Sequence, residues 1–120
     1  MESAVVRKAR ELIKSMGGRS VKIQGSSSLI SEPDLIFCIE GRFFAFEAKD
    51  PDFKYRVPVY KWSDYPPEIV KWLKQGCDVS QGDTLNEWEK TGAVVGVFCT
   101  VDELRRDISN ELCYEGTVCD

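Results

Sequence analysis

Two apolar runs, 34–39 (DLIFCI) and 42–48 (RFFAFEA), are separated only by Glu40-Gly41. Runs of that length, rich in Ile and Phe and broken by a two-residue turn signal, specify an antiparallel hairpin. The first run is apolar without alternation, so it is expected to be a strand buried on both faces, which requires layers on both sides of the sheet. Residues 93–99 (AVVGVFC) read as another buried strand, and 20–24 (SVKIQ) as a short one. Helical periodicity covers 3–16, where Val5, Ala9, Leu12, Ile13 and Met16 form one stripe that Gly17-Gly18 terminates. Further helices are expected at 67–75, at 80–90 with an unclear start, and after Thr100. The order is αβββ, an irregular segment, then αβα. The fold class is α/β, with a mixed β-sheet flanked by helices. With 120 residues there is room for a single domain, 1–120, interrupted by a Pro- and aromatic-rich stretch at about 51–78.

Composition removes several kinds of chemistry. The chain has no histidine. Ser-His-Asp and Cys-His catalysis and His-ligated zinc are therefore excluded, and acid–base work falls to carboxylates, Lys, Tyr, Cys or metal-bound water. The five cysteines are odd in number and form no CxxC pair, which argues against a disulfide framework or a closed zinc site. Cys38 and Cys99 lie in apolar runs and are expected to be buried. Reduced thiols imply a cytoplasmic setting. No secretory leader is expected from the N-terminal residues, and no apolar run approaches the ~20 residues that span a bilayer.

The formal net charge is −4, but it is unevenly placed. Between Arg7 and Lys22, six basic residues stand against Glu11 alone, whereas the stretch from Asp102 onward is acidic. Arg7, Lys14 and Lys22 are candidate phosphate contacts; an ordinary solvated helix face is the alternative. In the stretch 51–78, Lys54, Arg56 and Lys61 are interleaved with Phe53, Tyr55, Tyr60, Trp62, Tyr65 and Trp72. That mixture suits backbone contacts plus base stacking on single-stranded or splayed DNA. A minor hydrophobic cluster or a dimer contact would use the same residues.

Chemistry concentrates at residues 33–49. Asp34 opens the first strand of the hairpin, and Glu47 and Lys49 close the second. Antiparallel pairing brings those two ends together. Period-two alternation puts Glu47 and Lys49 on one face, with Phe44, Phe46 and Ala48 on the other. Ionic groups at the end of an apolar sheet are costly unless paired or bound to a metal. Two carboxylates and a backbone carbonyl such as that of Ala48 can hold Mg²⁺, and Lys49 can orient a water or stabilise a phosphoryl transition state. A plain cross-strand ion pair, worth about 0.2–1 kcal/mol, is the competing account.

Pro33-Asp34 followed by Glu47-x-Lys49 resembles the PD-(D/E)xK nuclease signature. The chain is most similar to the small VRR-NUC domains of phages and of a eukaryotic repair nuclease, from Glu2 to about Ile108. The similarity covers an N-terminal helix with an early acid, GG, a basic strand, PDLI, a Gly turn and FEAK. It continues with a helix-opening Gln81, eleven residues before Gly92, and with GAVVGVFCTVDEL. The resemblance implies a restriction-endonuclease-like αβββαβ core and a Mg²⁺- or Mn²⁺-dependent endodeoxyribonuclease. It implies Asp34, Glu47, the Ala48 carbonyl and Glu2 as metal ligands, Lys49 as the catalytic lysine, and Gln81 reaching toward the site. The expected partner is DNA, including branched forms such as Holliday junctions or flaps. The expected assembly is a homodimer, acting in the host cytoplasm if virus-encoded. Ser31-Glu32 departs from the family, which usually has Gly before this step, and the gap from Lys49 to Gln81 is longer than in minimal members. The alternatives are a nucleic-acid-binding module that does not cleave, or a viral effector that docks on a protein through its aromatic segment.

Overall fold

The computed structural model describes residues 3–23, 32–49 and 61–113. The element order is α1 (Ala4–Ser15), β1 (Arg19–Lys22), β2 (Leu35–Ile39), β3 (Arg42–Ala48), α2 (Pro67–Leu73), α3 (Val79–Lys90), β4 (Val94–Phe98) and α4 (Val101–Cys113). A 3₁₀ turn at Trp62–Asp64 precedes α2. The strands form one mixed sheet in the order β1-β2-β3-β4. β1, β2 and β3 pair antiparallel, and β4 lies parallel to β3.

Local signals account for the element ends. Ser3 caps α1 by accepting a hydrogen bond from the Val6 N–H. Glu40 and Gly41 both have positive φ, 50° and 79°, as a two-residue turn with the twist of a hairpin requires. Pro67 opens α2 at the position where a missing N–H costs nothing.

Two apolar clusters hold the layers together. On one face, Ala9 and Ile13 of α1 and Leu104 and Ile108 of α4 meet Leu35, Phe37, Ile39, Phe44, Phe46 and Phe98 of the sheet. The Phe37 and Phe44 rings stack there with centroids 4.8 Å apart. On the other face, Ile69, Trp72 and Leu73 of α2 and Leu85 of α3 pack with Cys77 and Val97. Trp62 and Tyr65 pack against this second cluster. Three aromatics of the 51–78 stretch are therefore core or core-adjacent, and residues 50–60 lie outside the described part.

The expectation that 34–39 is buried on both faces is corrected. Burial alternates along β2, and Cys38 is exposed while Cys99 is buried. The reason is the reach of the second helical layer. α3 packs on β3 and β4, so Val21 on β1 remains 50 % exposed among the described residues. Phe43 is partly rescued by stacking on Trp88 of α3, with centroids 5.4 Å apart.

Gly18 joins α1 to β1 at a close approach. A Cβ there would lie 2.5 Å from Ile39 Cγ1 and 2.7 Å from the Cys38 carbonyl oxygen. A backbone atom cannot rotate away, so Gly18→Ala is expected to destabilise the fold by about 1–3 kcal/mol. Urea unfolding of the variant checks this, and a midpoint equal to that of the parent would refute it.

Candidate active site

The hairpin register carries Asp34 to the end of β3. Leu35 pairs with Phe46, and the Asp34 Oδ2 accepts a hydrogen bond of 2.9 Å from the Ala48 N–H. Glu47 and Lys49 follow on the face covered by α2 and α3, and they are only 4 % and 9 % exposed. The Lys49 N–H donates to the Phe98 carbonyl at 2.8 Å, extending the parallel pairing with β4 past the last strand residue. The lysine is thus held by backbone on one side and must find its charge partners inside the protein.

The N-terminus of α3 supplies a neutral hydrogen-bond acceptor. Lys49 Nζ donates to Gln81 Oε1 at 2.9 Å. The same oxygen accepts the Asp78 N–H at 3.1 Å, while Asp78 Oδ1 accepts the Gln81 N–H at 2.7 Å. Asp78 and Gln81 form a reciprocal capping box. Both partners of Oε1 are donors, which fixes the orientation of the amide. A helix-starting device therefore also aims Gln81 at Lys49. The D-x-x-Q spacing is the sequence signal for this start, which reading the helix from residue 80 overlooked.

Electrostatics set the character of the cluster. Burial comes first in pushing Glu47 from 4.5 up to about 10. Asp34 adds to this, both as an acceptor for the Glu47 proton and by repulsion, and Asp78 repels more weakly. Lys49 acts in the opposite direction. Glu47 Oε2 is buried and has no hydrogen-bond partner. Two carboxylates in contact, one with an orphaned buried oxygen, form a donor set that a cation would complete. Among the described residues no group of three or more acids, cysteines or histidines is placed to hold a metal. The donor set is Asp34 and Glu47, with Ala48 between them and Lys49 in sequence, and Glu2 lies outside the described residues.

Cys77 sits beside this cluster. Burial first, then the charge of Glu47, push its thiol up to about 12. It is a neutral thiol at physiological pH and not a nucleophile. Glu32, just before Pro33-Asp34, accepts a hydrogen bond at its Oε2 from Trp88 Nε1 at 3.0 Å.

The structure thus brings Asp34, Glu47, Lys49 and Gln81 together. Arg7 and Lys14 line a cleft on α1, and Lys22 ends β1 opposite Leu35. Lys61 is exposed ahead of the 3₁₀ turn. Lys54 and Arg56 lie outside the described residues. Lys71, from the same stretch, is paired with Glu89 at 2.9 Å.

Fold and cluster together define an α/β domain with an acid–acid–lysine–amide constellation at one end of a mixed sheet. The chain matches no model of a known protein family, no curated protein and no solved structure. Among the described residues no helix is long and apolar enough to cross a membrane.

Proposed function

We propose that this chain is a divalent-metal-dependent DNA endonuclease of the PD-(D/E)xK type, built on a restriction-endonuclease-like core. The observation that carries the reading is the orphaned, buried Glu47 oxygen beside Asp34, next to a buried Lys49 clamped by Gln81. An ion pair kept for stability alone would not place two carboxylates in contact and leave one oxygen unsatisfied. The element order αβββ, helices, β, with the last strand parallel to the third, supports the same reading.

Asp34, Glu47 and the Ala48 carbonyl are the groups that would hold Mg²⁺ or Mn²⁺. When bound, such an ion supplies an acidified water and positive charge beside the phosphoryl oxygens. The Ala48 N–H orients Asp34, and burial keeps bulk water from competing for Glu47. Lys49 directs its ammonium toward the reacting phosphate, where charge on the phosphoryl oxygens grows as water adds. The bond to the 3′ oxygen breaks, leaving a 5′-phosphate and a 3′-hydroxyl. Structured DNA such as junctions or flaps is the favoured substrate class, and a symmetric dimer would place two sites on two strands.

Labelled single-stranded, duplex, flap and four-way-junction DNA, incubated with Mg²⁺, with Mn²⁺ and with EDTA, tests the proposal. Cuts are expected with the metals and not with EDTA. Absence of cuts on every substrate would reject it.

Gln81 is a positioning residue in this scheme. Gln81→Ala removes this acceptor from Lys49 Nζ and is expected to lower kcat by about 10²-fold with little change in KM. Gln81→Glu retains the acceptor oxygen and should recover part of the loss. If Gln81→Ala cleaved DNA as fast as the parent, the clamp would be irrelevant to the rate.

A further inference from the structure

The basic N-terminal segment forms a shaped surface whose full set of residues is not evident from composition. Arg7, Arg10 and Lys14 recur at intervals of three and four, so they share one stripe of α1. The turn at Gly17-Gly18 returns the chain as β1, an edge strand of the sheet. Arg10 Nε donates to Ser20 Oγ at 3.2 Å, which ties the stripe to the strand. Between them lies a cleft of about 520 Å³, lined by Arg7, Arg10, Lys14 and Arg19 and by one acid, Glu11. Among the described residues, Arg7, Lys14 and Arg19 have no ion-pair partner. In a chain of net charge −4, this is a concentrated positive field.

The cleft also has a direction. β1 runs from Arg19 to Lys22, and the next N–H, that of Ile23, donates to the Asp34 carbonyl at 2.9 Å. From Ser20 to Ile23 the strand advances about 10 Å. The stripe from Arg7 to Lys14 also spans about 10 Å along the helix. A single small anion needs less than that length, and a repeating polyanion fills it.

We propose that this cleft holds the sugar–phosphate backbone of a nucleic-acid strand that continues along β1 to the Asp34–Glu47 cluster. The placement of the reacting phosphodiester rests on the nuclease reading, whereas the binding of the strand does not. Arg10 and Arg19 join Arg7 and Lys14 as its contacts. The cleft reads phosphate and not sequence, because its donors are cations on a surface groove.

The test is binding of short fluorescein-labelled DNA, single-stranded and duplex, by anisotropy in EDTA across a range of NaCl concentrations. The triple variant Arg7→Gln, Lys14→Gln, Arg19→Gln is compared with Lys8→Gln, Lys90→Gln, Arg105→Gln, which removes the same net charge elsewhere. The slope of log K against log salt is expected to shrink by roughly 2 for single strands in the cleft variant and to be unchanged in the control. Circular dichroism melts verify that both triples remain folded. Equal slopes in parent and cleft variant, no binding of DNA by the parent, or equally tight binding of poly-glutamate would overturn the proposal. DNA held through the cleft yet never cut with Mg²⁺ or Mn²⁺ would leave the cleft in place and remove the nuclease reading. Metal-dependent cutting with an unchanged slope would do the reverse.

Discussion

Lys49→Met is expected to lower metal-dependent DNA cleavage by about 10³-fold or more while the protein stays folded. Methionine keeps the length and apolar stem of lysine in a position only 9 % exposed, so packing is retained while the charge and its hydrogen bond to Gln81 are removed. The loss acts in two ways. A positive group near the phosphoryl oxygens disappears, and with it the charge that, among the described residues, favours ionised Glu47. Lys49→Arg is expected to be nearly as slow, because a planar guanidinium cannot reproduce the Nζ contact of 2.9 Å to Gln81 Oε1. Initial rates under saturating Mn²⁺, with thermal melts alongside, check both variants. Cleavage by Lys49→Met within tenfold of the parent would show that the lysine only balances charge.

Which parts of this arrangement were legible in advance follows from the range of each signal. The hairpin was readable because Glu40-Gly41 and its flanking runs are local, and its register alone brings Asp34 to Ala48. Lys49 and Gln81 meet across 32 residues, and only the family resemblance pointed to that contact. The capping box that aims Gln81 is written in Asp78, three residues ahead of it, and helical periodicity beginning at residue 80 does not reveal it. The exposure of Cys38 was not legible at all. An apolar run states that a strand is compatible with burial, but whether a second helix layer extends that far is decided by the placement of α2 and α3 over β3 and β4. The tryptophans show the same ambiguity. Trp72 is a core residue, Trp62 packs against it, and Trp88 is shared between Phe43 and Glu32. Composition alone gives stacking and packing the same residues.

The second large effect concerns stability without any substrate. Glu47 is raised from 4.5 to about 10 in the folded protein, first by burial and then by Asp34. A group whose folded pKa is raised contributes stability that is fully present below the unfolded value and is lost as pH rises toward the folded one. The metal-free protein is therefore expected to become less stable from pH 6 to pH 8.5, by at most about 1.4 kcal/mol per pH unit. The chain has no histidine, so no imidazole titrates in that window. Cys77 is raised from 9.0 to about 12 and acts only above it. Glu47→Gln should flatten the slope and be more stable than the parent at pH 8.5, since an amide, unlike Glu47, need not take up a proton on folding. A divalent ion acts in the opposite direction on the same oxygen. At a hundredfold excess over its Kd, Mg²⁺ or Mn²⁺ adds about 2.7 kcal/mol, which for a domain of this size is a rise in Tm on the order of 10 °C. Glu47→Gln should lose that rise. A parent whose Tm falls with pH but does not respond to the metals would show that Glu47 and Asp34 share a proton for structural reasons, and the nuclease reading would lose its main support.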